Sequence, residues 1–264
     1  MNCCYIFTYN NTHFDERNGF YVDLLYKSIE TLLIFYHKDI KNLYIFIDNN
    51  INKYNYTELT ETINNINNYK VNIIYKLIDL RITNIIKYPE KNANADRINR
   101  IGLLKFFIPY LVNCKNILYI DCDILFKDNI LNEIYKEYNQ EKTLLKMFQY
   151  GFNSGLILFN CELWCKEKNI LNDIIDYYNT HDVQFVDNET FTWLACLSKY
   201  QNKCIKDNNF KINFPIIKPE WGDFDNIEYD WHNMNVLHVC GTFDTKIDLF
   251  YKIYDWIKNN NELL

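Results

Sequence analysis

The sequence has no continuous apolar run of 18 or more residues, because Lys and Asn interrupt every hydrophobic stretch, so no membrane-spanning helix is expected. Nor has it a basic excess. Its 28 Lys and Arg against 34 Asp and Glu give a net charge of -6 and a pI near 5.4. That balance argues against a nucleic-acid or anionic-membrane surface, which would need a clustered basic face. No secretory leader is expected either: Met1 to Phe7 is apolar but short, lacks a basic start, and meets Asn10 and Asn11 at once. The nine Cys are odd in number and follow no paired framework. Reduced thiols in a cytoplasmic compartment are therefore expected. Cys161 and Cys165 lie four apart on a helical pattern, but no second ligand pair has zinc spacing, which argues against a zinc site. Gly (6) and Pro (4) are scarce, and neither a repeat nor a linker interrupts the chain, so residues 1–264 are expected to form one domain.

What is present is a globular composition, 48% apolar and 17% aromatic with 22 Tyr and 18 Phe. At 264 residues and 32.1 kDa the chain can bury a full α/β core. Enrichment in Asn, Ile, Lys and Tyr matches an AT-rich coding sequence, so Asn-rich loops such as Asn64 to Asn68 are not read as functional.

Cys3 to Thr8 has the composition of a buried strand, and Gly19 to Tyr36 places Phe20, Leu24, Leu32, Leu33 and Tyr36 at amphipathic-helix spacing. Strand, loop and helix open a βαβ unit. Strands are expected at Leu43 to Ile47 and Val71 to Leu77, with a helix at Tyr56 to Ile66 between them. Asp79 to Asn94 has no clean period and contains Pro89, so it is expected to be a loop. Asp96 to Leu111 returns to helical spacing, with Pro109 bending or ending the helix. Further on, Asn129 to Asn139 reads as a helix capped by Asn129 or Asp128, and Cys161 to Tyr178 as one long helix. Thr143 to Phe148, Gly155 to Phe159 and Lys203 to Ile212 read as strands, and Pro215 to Asp230 as a loop beside a cleft. Asn235 to Gly241 is a strand, followed by a closing helix up to Asn259.

The chain is organised around Asn116-Ile117-Leu118-Tyr119-Ile120-Asp121-Cys122-Asp123-Ile124-Leu125-Phe126. A β-favouring apolar run ends in two carboxylates one residue apart, as a buried parallel strand does when it delivers ligands at its carboxyl end. On extended chain Asp121 and Asp123 share a face, and two anions so close repel unless a cation sits between them. Oxygen ligands favour Mg²⁺, Mn²⁺ or Ca²⁺ over zinc and leave positions open for phosphate oxygens. The alternative readings are a solvated turn and the Asp-x-Asp of a phosphohydrolase. Arg97, Arg100 and Lys105 lie just upstream, either as a solvated helix face or reaching a phosphate. Phe152-Asn153-Ser154-Gly155 is either a plain turn or a close backbone approach lined by an amide. Asp187 is an N-cap to an apolar helix, Phe191 to Leu197, unless it and Asn188 face a ligand.

In order and spacing, Thr8-Tyr9-Asn10, Lys105 before Leu118 to Asp123, Asn153-Ser154-Gly155, Asp187-Asn188 and His238-Val239-Cys240-Gly241 resemble the glycogenin-like retaining glycosyltransferases, family 8. The resemblance spans nearly the whole chain. It implies a GT-A (nucleotide-diphospho-sugar transferase) fold, a Rossmann-like mixed, mainly parallel sheet flanked by helices. It implies Asp121, Asp123 and His238 as ligands of Mn²⁺, or of Mg²⁺, with Asp121 and Cys122 near the ribose. Thr8, Tyr9 and Asn10 fall where the family's first loop meets uridine, with Tyr21 a competing candidate. Arg100 and Lys105 match basic positions contacting sugar or phosphate, and Asn153, Ser154 and Gly155 match the sugar-side wall. Asp187 matches the carboxylate facing the transferred sugar, Asn188 the amide beside it, and Gly241 and Lys246 the diphosphate contacts.

Two departures stand out. The family's Asp-Gln is here Asp187-Asn188, and the Lys six residues after the metal His is here Asp244, with Lys246 two further on. The implied activity is transfer of glucose or galactose, with retention, from UDP-glucose or UDP-galactose to an acceptor glycan or protein, including self-glucosylation on Tyr. Asp187 acts there either as nucleophile or as electrostatic stabiliser. The alternative is a UDP-sugar-binding protein without turnover. Monomer and homodimer both remain open.

Overall fold

A computed structural model describes residues 1–8, 16–86, 100–148, 154–181, 183, 186–207, 213–215, 235–240 and 243–261; within these, side chains are described for all but 16–20, 186–188, 213–215, 240, 243–247 and 261. Four strands, β1 (Asn2–Phe7), β2 (Asn42–Asp48), β3 (Ile73–Ile78) and β4 (Asn116–Ile120), run parallel in the spatial order β3-β2-β1-β4. Beyond β4 come β7 (Leu156–Asn160), β6 (Leu145–Phe148) and β8 (Cys204–Asp207), where β4 to β7 and β7 to β6 are antiparallel and β6 to β8 is parallel. The expected α/β architecture with a mixed, mainly parallel sheet is what the chain forms.

Alternation explains why these strands read as unbroken apolar runs. In β1, Cys3, Tyr5 and Phe7 pack under helix α1 (Glu16–Tyr36), while Cys4 and Ile6 pack on the opposite face with Phe106, Phe159 and Trp164. Both faces are covered, so neither carries a polar stripe. From α1 the buried Leu25, Ile29, Leu32, Leu33 and Tyr36 lie on the sheet. Leu24 instead joins Phe250, Ile253 and Ile257 of the C-terminal helix (Phe243–Asn261), which also covers Leu125, Leu237 and Val239. Those three belong to a second, three-stranded sheet in the order β5-β10-β9, made of β5 (Ile124–Phe126), β10 (Val236–Cys240) and β9 (Asn213–Pro215). Among the described residues no helix is long and apolar enough to cross a membrane.

At the amino ends of the parallel strands the asparagines have a structural role. Asn72 Nδ2 donates to Asn42 Oδ1 (2.7 Å), Asn42 Nδ2 to Asn2 Oδ1 (2.9 Å), and Asn2 Nδ2 to the Asn116 carbonyl (3.3 Å). An amide both donates and accepts, so a row of them closes strand starts that the ladder leaves open. Asn64, in the last turn of the helix Lys53–Ile66, accepts from the Tyr75 hydroxyl (2.9 Å), and Asn67 just past it brackets Val71 with both amide atoms.

Several expected elements are shorter or divided. Within the expected loop Asp79 to Asn94, Leu80–Ile85 is a 3₁₀ helix whose first turn is capped by Asp79 accepting from the Arg81 N–H at 2.9 Å. The helix expected over Asn129 to Asn139 is only Leu131–Tyr135; Asn129 does accept from the Leu131 N–H (2.9 Å), but Ile130 occupies the cap position. The long helix from Cys161 to Tyr178 is two, Cys161–Lys166 and Ile170–Thr180, since the Glu167 N–H turns back to Leu163 and Trp164. Trp164, Ile170 and Ile174 are all buried, which is why the apolar period runs through the break. The strand expected over Lys203 to Ile212 is Cys204–Asp207, with 208–212 outside the described residues. Most of the expected Pro215 to Asp230 loop also lies outside them.

Tyr36 fixes the segment leaving β5: its hydroxyl donates to the Asp128 carbonyl (3.0 Å) and accepts from the Ile130 N–H (2.6 Å). Tyr36→Phe leaves both backbone groups unmatched and is expected to lower unfolding free energy by about 1–3 kcal/mol. A lower urea midpoint with unchanged slope would show this; an unchanged midpoint would contradict it.

Candidate metal centre

The strand carrying the acids stops before both of them, whereas an extended reading carries it through Asp123. β4 ends at Ile120, and Asp121 to Ile124 form a turn in which the Ile124 N–H donates to the Asp121 carbonyl at 3.2 Å. Asp121 and Asp123 therefore converge through a turn, not through alternation along a strand. The chain leaves that turn as β5, and β10 pairs antiparallel with it, His238 lying opposite Ile124. The Val239 N–H donates to the Asp123 carbonyl (3.1 Å), locking the register next to the acids. A residue more than a hundred positions away in sequence is thus delivered beside Asp123 by backbone pairing.

The result is a compact three-ligand group. His238 Nε2 lies 3.0 Å from Asp123 Oδ1 and 3.8 Å from Asp121 Oδ2, and one ligand atom from each residue falls within 4.8 Å of the others. It is the one such group of His, Cys, Asp and Glu among the described residues; Cys161 and Cys165 form none. His238 is 3% exposed, whereas the Asp121 side chain keeps 24% exposure, so the group opens to solvent on the carboxylate side. Two carboxylate oxygens and one imidazole nitrogen at these separations fit a single divalent cation with open positions on one side.

Lys105 enters from the opposite flank. Its Nζ lies 3.2 Å from Asp121 Oδ1 and 3.2 Å from Ser154 Oγ, with the Ser154 carbonyl at 3.4 Å. Pro109 explains the presentation. A proline has no N–H for the carbonyl four residues earlier and its ring crowds that carbonyl, which here belongs to Lys105. Helix 100–104 accordingly tightens into a 3₁₀ turn, Lys105–Phe107, in which the Ile108 N–H takes the Lys105 carbonyl, and α-helix resumes at Ile108–Leu111.

Tyr119 is a member the sequence reading missed. Its hydroxyl donates to Asp121 Oδ1, and its ring lies 4.7 Å beneath Lys105 Nζ. The signal was available, since Tyr119 and Asp121 are two apart at the end of a strand.

Gly155 accounts for how closely the imidazole sits. A Cβ at this position would stand 2.4 Å from His238 Cε1 and 3.1 Å from Asp121 Oδ2, and its carbonyl accepts from the Asp121 N–H at 2.8 Å. Thr8, at the carboxyl end of β1, is buried, and its hydroxyl has no hydrogen-bond partner among the described residues.

The remaining expected site residues are distributed over several other places in the chain. Arg100 donates to Asn84 and lines a cavity of about 510 Å³ whose described walls include Asn49, Asn50, Asp79 and Arg81, at the carboxyl ends of β2 and β3. Tyr21, on α1, packs half-buried against both adjoining cores, and Cys122 is half-buried against the α1 side. Asp187 and Asn188 fall within the first turn of helix Val186–Cys196, so Asp187 is not the cap before a helix at Phe191; their side chains, and that of Lys246 in the C-terminal helix, lie outside the description. Tyr9, Asn10, Asn153 and Gly241 lie outside the described residues.

Gly155→Ala is expected to push the His238 ring away from the acids and weaken Mn²⁺ binding by roughly 10- to 100-fold, the usual scale for disturbing a ligand's support. Calorimetric titration checks this, with circular dichroism to confirm folding; unchanged affinity would contradict it.

No protein-family model and no curated protein matches the sequence. Solved structures do resemble the fold. The galactosyltransferase LgtC, in complex with donor and acceptor sugar analogues, superposes with a TM-score of 0.63 at 14% identity, over 97% of this chain and 95% of its own. Mouse xyloside xylosyltransferase 1 gives 0.62 at 13% identity, covering 93% and 99%. Core-mannan synthase A from Aspergillus fumigatus, in its Mn/GDP form, gives 0.51 at 9% identity over 78% and 72%. The chain therefore has the GT-A fold.

Proposed function

We propose that this chain is a metal-dependent retaining glycosyltransferase of the glycogenin-like type, transferring glucose or galactose from a UDP-sugar to an acceptor hydroxyl. The observation that carries the reading is the convergence of Asp121, Asp123 and His238 at the carboxyl end of a GT-A sheet. Neighbours of the same fold point the same way, LgtC being described with donor and acceptor sugar analogues and core-mannan synthase A with Mn and GDP. Asp121, Asp123 and His238 hold the cation in this reading. When bound, it supplies Lewis-acid stabilisation to the diphosphate leaving group.

The protein's own residues do the rest. Lys105, fixed by Asp121 and Ser154, places a buried positive charge beside the donor, in keeping with electrostatic stabilisation of a departing diphosphate. Thr8, at the carboxyl end of β1, supplies a buried hydroxyl without a partner among the described residues, suited to the nucleoside. Asp187 and Asn188 lie in the first turn of their helix, and they are assigned the sugar side. There a carboxylate and an amide dipole offset the oxocarbenium character of the anomeric carbon. Asn188 in place of a longer amide, and Asp244 where the family has Lys, favour a second reading, a UDP-sugar binder without turnover.

Incubation with Mn²⁺ and UDP-glucose or UDP-galactose is expected to release UDP, and His238→Ala to reduce that release at least about 100-fold, the scale for losing one electrostatic element. Intact mass from the same incubation reports self-glucosylation, for which Tyr54, Tyr69 and Tyr110 are the exposed tyrosines among the described residues. Release that His238→Ala leaves unchanged would remove the transferase reading. UDP binding by calorimetry with no release would leave the binder.

A further inference from the structure

The two carboxylate oxygens of Asp121 have different neighbours. Oδ1 accepts from the Tyr119 hydroxyl, whereas Oδ2 is the oxygen nearer His238, 3.8 Å from its Nε2, and it faces Gly155. Lys105 does not choose between them, since its Nζ stands 3.2 Å from Oδ1 and 3.4 Å from Oδ2. The Tyr119 hydroxyl does choose: it holds Oδ1 on the protein side and leaves Oδ2 toward the imidazole.

That hydroxyl is fixed independently of the carboxylate. Tyr119 is 1% exposed, and its backbone pairs on both sides, with Cys4 of β1 and Ile157 of β7. Its ring belongs to the core cluster that includes Cys4, Phe106 and Ile157, and Lys105 Nζ lies over the ring at 4.7 Å. A donor held in place by packing and sheet register orients its acceptor, which is the relation of a supporting group to a metal ligand.

This orientation bears on which ion fits. With Oδ1 engaged by the phenol, Asp121 offers one oxygen to a cation beside His238. Octahedral ions take about six ligands and accept carboxylates through single oxygens, whereas Ca²⁺ takes about six to eight and readily claims both oxygens of one carboxylate.

We propose that Tyr119 is a positioning residue of the metal centre that holds Asp121 to ligation through one oxygen and so favours a six-coordinate ion such as Mn²⁺ over Ca²⁺. The inference rests on the reading of Asp121, Asp123 and His238 as the ligands of one cation, and adds what sets the preference of that site.

The test is a competition on the full chain. Mn²⁺ is titrated while the EPR signal of the free ion is followed, and Ca²⁺ is then added as competitor, for the wild type, Tyr119→Phe and Tyr36→Phe. Tyr119→Phe keeps the ring and its contact with Lys105 and removes only the hydroxyl. It is expected to weaken Mn²⁺ binding roughly 10-fold or more, the scale for losing a ligand's support. Ca²⁺ gains from a carboxylate that can turn, so the excess of Ca²⁺ needed to displace half the Mn²⁺ should fall by at least the same factor. Tyr36→Phe also loses a buried hydroxyl, but one bonded to the backbone of Asp128 and Ile130, and it should leave that excess unchanged. This control separates ion preference from a general loss of stability, and circular dichroism confirms folding. An unaltered Ca²⁺ excess in folded Tyr119→Phe would overturn the inference while the metal reading stands. So would a wild type that binds Ca²⁺ at least as tightly as Mn²⁺. Binding of neither ion by the wild type would remove the metal reading, and this inference with it.

Discussion

The backbone pairing of β10 with β5 is the constraint on which the candidate site rests. Two carboxylates and an imidazole do not gather within 4.8 Å of their own accord. Like charges repel and each polar group gives up water, so the scaffold must offset that cost. It does so with bonds that involve no ligand: Val239 N–H to Asp123, Asp121 N–H to Gly155, and Ile124 N–H back to Asp121. The α1 and C-terminal helices then clamp the short second sheet through Leu24, Leu125, Leu237 and Phe250. Packing thereby fixes a geometry that electrostatics alone would open.

Around that frame the two ends of the large sheet are chemically segregated. Asn2, Asn42, Asn72 and Asn116 close the amino ends with neutral amides. The carboxyl ends carry Thr8, Asp48, Asp79 and Asp121, on the side where open parallel sheets bind ligands. Lys105 reaches this end because Pro109 tightens the helix at that point, and Tyr119 supports both Lys105 and Asp121 from within β4. A buried lysine facing a carboxylate also softens the repulsion between Asp121 and Asp123.

Much of this was legible in the chain itself. The runs through Cys3 to Phe7, Leu43 to Ile47 and Ile117 to Ile120 announce strands covered on both faces, and Asp121 and Asp123 stand out as acids where such a run ends, whereas His238, in the middle of β10, is singled out only by the family resemblance. What local pattern does not carry is pairing at a distance. Nothing near Phe126 says that it will meet Val236, nor that Gly155 will seat the His238 ring. The break after Lys166 was hidden because burial of Trp164 and Ile170 continues the apolar period while the backbone turns at Glu167. The asparagines, read as a matter of codons, gained their role only when four strand starts came side by side.

The central claim is that Asp121, Asp123 and His238 grip one divalent cation. Anomalous diffraction from crystals soaked in Mn²⁺ tests it most directly. The account predicts a single strong peak within coordination distance of both carboxylates and His238 Nε2. A peak elsewhere, or one that engages the acids while the imidazole points away, would contradict it.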